Sequence, residues 1–135
     1  MAVIDASVAL KWFIDEPDSS LALSLRDAHI HHRQEPLAAP DLLIYEVANV
    51  LLHNPRYTDN DVSRAVRTLY DLQIELIVPT ENLIHESIRL ATRHKLTFYD
   101  ALYVGLAHQV GMELITADRQ LVQRVKQLSF VRMLQ

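Results

Sequence analysis

Short apolar bursts alternate with longer stretches of helical spacing along the whole chain. Residues 2–5 read as a buried strand, and the run from 7 to about 14 as an apolar helix stopped by Glu16, Pro17 and Asp18. Ser19 or Ser20 caps a helix running toward His32, and residues 37–39 make a second strand before Pro40. Asp41 caps an apolar helix through His53, which Asn54 and Pro55 close. Thr58 or Asp59 opens a helix to about Asp71, residues 75–78 form a third strand, and Thr80 caps a helix to about His94. Tyr99 and Asp100 begin another helix, which stops at Gly111. Residues 113–116 form a fourth strand, Asp118 starts a helix, and residues 130–133 supply an edge strand.

Strands separated by helices pair in parallel through crossover connections. The expected fold is therefore an α/β protein, a three-layer α/β/α sandwich with a central parallel sheet of four to five strands. A length of 135 residues fits one domain spanning 1–135. In such sheets functional groups gather beyond the carboxyl ends of the strands, where strand order reverses. Asp5 and Asp118 stand at two such ends.

Composition narrows the chemistry. The chain has no cysteine, which removes disulfides, thiolate metal sites and cysteine nucleophiles. Its only glycines are Gly105 and Gly111, so neither a Walker loop nor a dinucleotide loop can be built. No apolar run approaches the ~20 residues of a membrane span, and the start MAVIDAS has no signal-peptide pattern, so a cytoplasmic protein without membrane contact is expected. A net charge of −4 argues against broad basic coating of nucleic acid. It leaves room for an enzyme that reaches phosphates through bound cations, which sequence counting omits.

Four acids sit where an unremarkable globular protein would not need them. Glu46 lies in LLIYEVANVLL, apolar on nearly every face, which predicts a largely buried helix. A buried carboxylate is costly unless paired, hydrogen-bonded or metal-bound; the alternative explanations are a partly exposed stripe on this helix or pairing with an arginine. Asp5 ends an apolar strand, Asp100 occupies the first turn of an apolar helix, and Asp118 precedes a helix. Each of these three has a local explanation in capping or in the helix dipole. An α/β topology, however, brings separate strand ends and helix starts to one crevice. Crowded carboxylates repel unless a cation neutralises them, and hard oxygen donors select Mg2+ or Mn2+, one ion or two.

The segments VIDASVALKWF, EVANVLL, FYDALYVGLA and LITADRQL together resemble a PIN-domain nuclease, and more narrowly the VapC type of toxin from toxin–antitoxin pairs. The likeness runs through essentially the whole chain. It implies a parallel sheet flanked by helices and a Mg2+- or Mn2+-dependent endoribonuclease in which Asp5, Glu46, Asp100 and Asp118 are the catalytic acids and metal ligands. It further implies that Ser7 and Thr116 hold the ligands or the metal waters, that Asn49 is a supporting polar position, and that the chain forms a homodimer and binds a small antitoxin protein besides its RNA substrate. Related domains also process RNA without any antitoxin.

Other readings compete. An aspartyl-nucleophile phosphatase would use Asp5, but Ser7 stands where its second aspartate belongs. A non-catalytic RNA- or partner-binding module would make the acids structural. Arg89, Arg93 and Lys95 crowd one helix end, as a phosphate-steering patch for RNA or as partners of the helix dipole. His29, His31 and His32 could hold zinc, although a solvated helix end explains the pattern more simply. Trp12 and Phe13 are read as core residues rather than base-stacking platforms.

Overall fold

The computed structural model describes residues 1–31 and 36–135. In chain order it contains β1 (Ala2–Ile4), α1 (Ala6–Leu10), α2 (Ser19–His31), β2 (Leu37–Pro40), α3 (Leu42–Leu52), α4 (Asp59–Asp71), β3 (Glu75–Ile77), α5 (Glu81–His94), α6 (Phe98–Val110), β4 (Glu113–Thr116), α7 (Arg119–Arg124) and β5 (Val131–Met133). The five strands form one sheet in the order β3-β2-β1-β4-β5, and every pairing is parallel. The anticipated three-layer sandwich is the observed fold, and the segment at 130–133 does pair at the sheet edge.

Strand order places the crevice. The chain lays β2 and β3 on one side of β1, then crosses to put β4 and β5 on the other. The switch falls between β1 and β4, whose carboxyl ends run into Asp5 and toward Asp118. Register aligns Ile4 with Ile115, so Asp5 and Thr116 follow side by side.

Helix α6 lies against β1, β2 and β4, with α5 packed on it. Residues 101–107 of α6 are all buried, which is why this segment is apolar on every side. Gly105 permits the close approach of α5: a Cβ there would come within 2.9 Å of Ser87 Oγ and 3.2 Å of Leu83 Cδ1. Between these helices the chain turns in three residues, with Lys95 in the left-handed region at φ 56° as the C-cap of α5.

Four local expectations need correction. Asp41 adopts helical backbone angles and caps nothing with its side chain; its carboxylate instead accepts from the Tyr45 hydroxyl at 3.3 Å. Strand β2 runs one residue further, through Pro40, and a proline fits there because β1 has already ended on that side. Helix α6 begins at Phe98, capped by the Thr97 hydroxyl, which accepts from the Asp100 N–H at 3.1 Å. Past Leu10 the α1 helix tightens into three-residue turns to Phe13, so its regular part is shorter than its apolar run.

Candidate active site at the sheet switch point

Asp5 is held from three directions. Its Oδ1 accepts from the Ser7 N–H at 3.1 Å and from the Ser7 hydroxyl, and its Oδ2 accepts from the Thr116 hydroxyl. Both hydroxyls are themselves fixed from behind: the Ala117 N–H donates to Ser7 Oγ at 2.8 Å, and the Asp118 N–H donates to Thr116 Oγ1 at 3.1 Å. Each hydroxyl therefore has its proton directed at Asp5. The network joins the end of β1, the start of α1 and the end of β4. Burial pushes the Asp5 carboxyl up to about 6, against the pull of these hydroxyls and with a further push from the charge of Asp100.

Asp118 follows β4 and serves as the N-cap of α7, its Oδ1 accepting from the Gln120 and Leu121 N–H groups at 2.9 and 3.2 Å. Asp100 occupies the third position of α6 and is half-buried. Burial raises its pKa first and the Asp118 charge second, while the Thr97 hydroxyl and the Arg124 guanidinium pull it down. Glu46 is also raised, by burial and then by Asp100 after the opposing effect of Tyr103. Asp5, Glu46 and Asp118 thus all act on Asp100 or feel it. Four separate elements bring these acids within electrostatic reach of one another.

Glu46 departs from its expected setting. Leu43, Ile44, Val47 and Leu51 turn one face of α3 to the core, whereas Tyr45, Val50 and Leu52 are exposed. Two apolar stripes, one packed and one facing solvent, produce the all-round apolar sequence, and Glu46 lies half-buried beside them. No cation pairs with it among the described residues; the Tyr103 hydroxyl donates to its Oε1 at 2.6 Å. Tyr103 is one residue that sequence reasoning missed, although its place three residues after Asp100 puts both on one side of α6.

The remaining candidates divide. Asn49 is exposed one turn beyond Glu46, and its carbonyl accepts from His53 Nδ1 at 2.7 Å. Arg89 and Arg93 are exposed on α5, with Arg89 Nη2 4.0 Å from Glu86 Oε2. The cation whose charge reaches Asp100 is none of the expected three but Arg124, which also donates to the Lys95 carbonyl at 2.8 Å. His29 is buried rather than solvated: its Nδ1 accepts from the Leu37 N–H at 2.9 Å, so its Nε2 carries the proton donated to the Leu72 carbonyl at 2.7 Å. His31 is exposed, and His32 lies outside the described residues. Trp12 packs against the core and donates its indole N–H to the Ala22 carbonyl at 2.8 Å.

Among the described residues, no three His, Asp or Glu side chains converge closely enough, as they stand, to enclose a metal ion. The donor set nonetheless suits a hard divalent cation. All four groups are carboxylates, and Asp5, the most engaged, keeps a lone pair on Oδ2 after its three bonds. Also among the described residues, no helix is long and apolar enough to cross a membrane.

An all-parallel α/β sheet with a cluster of acids at its switch point defines the class of protein. The chain belongs to the PIN domain family, whose profile matches residues 2–127. Two relatives come from Pyrobaculum aerophilum. Ribonuclease VapC3 is 32% identical over 126 residues, covering 90% of this chain and 92% of the relative. Exonuclease VapC9 is 37% identical over 100 residues, 74% of each chain. Among solved structures, PAE2754 of the same organism superposes with a TM-score of 0.73 at 26% identity, covering 98% of this chain and 90% of that one. A toxin–antitoxin complex from Klebsiella pneumoniae gives 0.72 at 19% identity, covering 98% and 96%, a likeness of fold.

Proposed function

We propose that this chain is a metal-dependent endoribonuclease and the toxin of a toxin–antitoxin pair. The observation that carries the reading is the gathering of Asp5, Glu46, Asp100 and Asp118 at the sheet switch point, where Asp100 shares its field with the other three. Ribonuclease VapC3, matched along nearly the whole chain, supports RNA as the substrate.

These four acids would hold Mg2+ or Mn2+, which supplies a lowered water pKa and neutralises charge on the scissile phosphate. Asp5, fixed by Ser7 and Thr116, is the rigid reference point of the site. Asp118 is oriented by the first turn of α7, and Glu46 by Tyr103. In their ionised forms, which burial disfavours, Asp100 and Glu46 would accept hydrogen bonds from water molecules around the cation. In the net reaction a water oxygen bonds to phosphorus and the bond to the 3′ oxygen breaks. That oxygen takes up a proton, leaving 5′-phosphate and 3′-hydroxyl ends. No side chain need serve as nucleophile.

Incubating purified protein with structured RNA, with and without Mg2+, and mapping the new 5′ ends tests the activity. Asp100→Asn should lower cleavage by at least about 100-fold, beyond the ~10–100-fold cost of losing a residue that only orients a ligand. Undiminished cutting by that variant would remove the site assignment. The name Exonuclease VapC9 favours a second reading, degradation from an RNA end. A circular RNA decides between them, because only an endonuclease opens it. The exposed Tyr45, Val50, Leu52 and Ile88 side chains support association with a second copy or an antitoxin. Light scattering of the purified chain, alone and co-expressed with the product of an adjacent small reading frame, tests both.

A further inference from the structure

Tyr103 is 1% exposed, and its ring is part of the core. Its hydroxyl is the polar bridge from α6 to α3, donating to Glu46 Oε1 at 2.6 Å. Buried phenols need a partner; here the partner is a carboxylate at the edge of the crevice. Burial, followed by the charges of Glu46, Asp5 and Asp100, drives the phenol pKa far upward, so Tyr103 stays a neutral donor with one proton. Among the described residues, the second carboxylate oxygen, Glu46 Oε2, has no hydrogen-bond partner. The two oxygens of Glu46 are therefore unequal before any cation arrives.

That inequality has a consequence for ion choice. Ca2+ takes about 6–8 oxygens in flexible geometry and readily accepts both oxygens of one carboxylate. Mg2+ requires near-octahedral coordination at about 2.0–2.1 Å and usually binds a carboxylate through one oxygen. Two-oxygen binding by Glu46 would bring Oε1 onto the cation and weaken its bond from Tyr103. One-oxygen binding through Oε2 keeps that bond intact.

We propose that Tyr103 is a positioning residue that makes Glu46 a one-oxygen ligand and thereby biases the site toward Mg2+ over Ca2+. This inference rests on the proposed divalent-metal site and adds to it a source of ion selectivity. Substituting Tyr103→Phe keeps the buried ring and deletes only the donor. Calorimetric titration of the full chain with MgCl2, and separately with CaCl2, reads the effect without any RNA present. Mg2+ affinity should fall about tenfold, in the range set by residues that orient metal ligands, while Ca2+ affinity holds or rises. The same substitution in a Glu46→Gln background should leave the ratio of the two affinities unchanged, since the carboxylate it orients is gone.

A loss equal for both ions, or no loss for either, with Mg2+ still binding the parent protein, overturns the role of Tyr103 and leaves the metal site standing. A fall in melting temperature accompanied by an unchanged Mg2+ to Ca2+ ratio assigns Tyr103 to packing alone and also overturns the role. If the parent chain binds neither Mg2+ nor Mn2+, the metal site itself fails, and the inference with it.

Discussion

Asp5→Asn in the metal-free protein should raise stability at alkaline pH relative to acid pH. Asp5 is 5% exposed, and its carboxyl is pushed from an ordinary 3.8 to about 6. Because the folded-state value lies above the unfolded one, the ionised form disfavours folding. Stability contributed by the neutral carboxyl is full below pH 3.8 and is lost as pH rises through about 6. The whole shift corresponds to about 3 kcal/mol, of which about 2.5 kcal/mol falls between roughly pH 4 and pH 8. Asparagine carries no charge and escapes this loss. It does forfeit one favourable partner, because the Ser7 and Thr116 hydroxyls both direct protons at Asp5, but that loss is independent of pH. Urea unfolding of both proteins in EDTA at the two pH values isolates the effect as a difference of differences, in which the titrations not coupled to Asp5 cancel. The variant should gain about 2.5 kcal/mol on its parent between the two conditions. A gap that stays constant within about 0.5 kcal/mol would show that burial does not tax this carboxylate. Mg2+ added at alkaline pH should narrow the gap by stabilising the parent alone.

Other perturbations test the packing around the crevice. Gly105→Ala should destabilise by about 1 kcal/mol net, as crowding against Ser87 and Leu83 outweighs the better helix propensity of alanine. Adding Ser87→Ala should return part of that loss in thermal denaturation. His29→Ala leaves the Leu37 N–H and the Leu72 carbonyl without their partner and should cost about 2–4 kcal/mol in urea unfolding, with RNA cleavage by the folded fraction unchanged. Thr97→Ala removes the N-cap of α6 and should cost about 1 kcal/mol of stability. That same variant loses a group that favours the charged form of Asp100, so the acid limb of the cleavage pH profile should move toward higher pH.

Much of the fold was legible because the period of the apolar pattern changes at each element. The run at 2–4 is a strand, and that at 98–110, too long for a strand, is a buried helix closed by Gly111 in the left-handed region. The acids were legible for a different reason: topology alone sends Asp5 and Asp118 to adjacent strand ends. What stayed hidden depends on partners distant in sequence. Tyr103 reads as one more core aromatic until α6 is laid beside α3, 57 residues away in the chain from Glu46. His29 looks like part of a polar helix end, yet its ring is enclosed by β2 and the segment after α4. Arg124 becomes visible only when the turn at Lys95 folds back onto α7. Apolar residues also could not report which of the two stripes of α3 would be packed, so the burial expected around Glu46 was overestimated.

The four acids are not held alike, and the difference bears on how a cation would enter. Asp5 accepts three hydrogen bonds, and its hydroxyl partners are pinned in turn by backbone N–H groups, so its carboxylate has the least freedom. Asp118 is tied through one oxygen to the first turn of α7, and Glu46 through one oxygen to Tyr103. Asp100 is constrained mainly by its place on α6 and shares its surroundings with Asp118, Glu46 and Arg124. Mutual repulsion pushes the less restrained groups apart in the absence of positive charge. A cation bound among Asp5, Asp100 and Asp118 would cancel the repulsion that helps raise the Asp5 and Asp100 carboxyls. Rigid anchoring of one acid and looser tethering of the rest would give the proposed metal site one fixed ligand, with the others free to adjust around it.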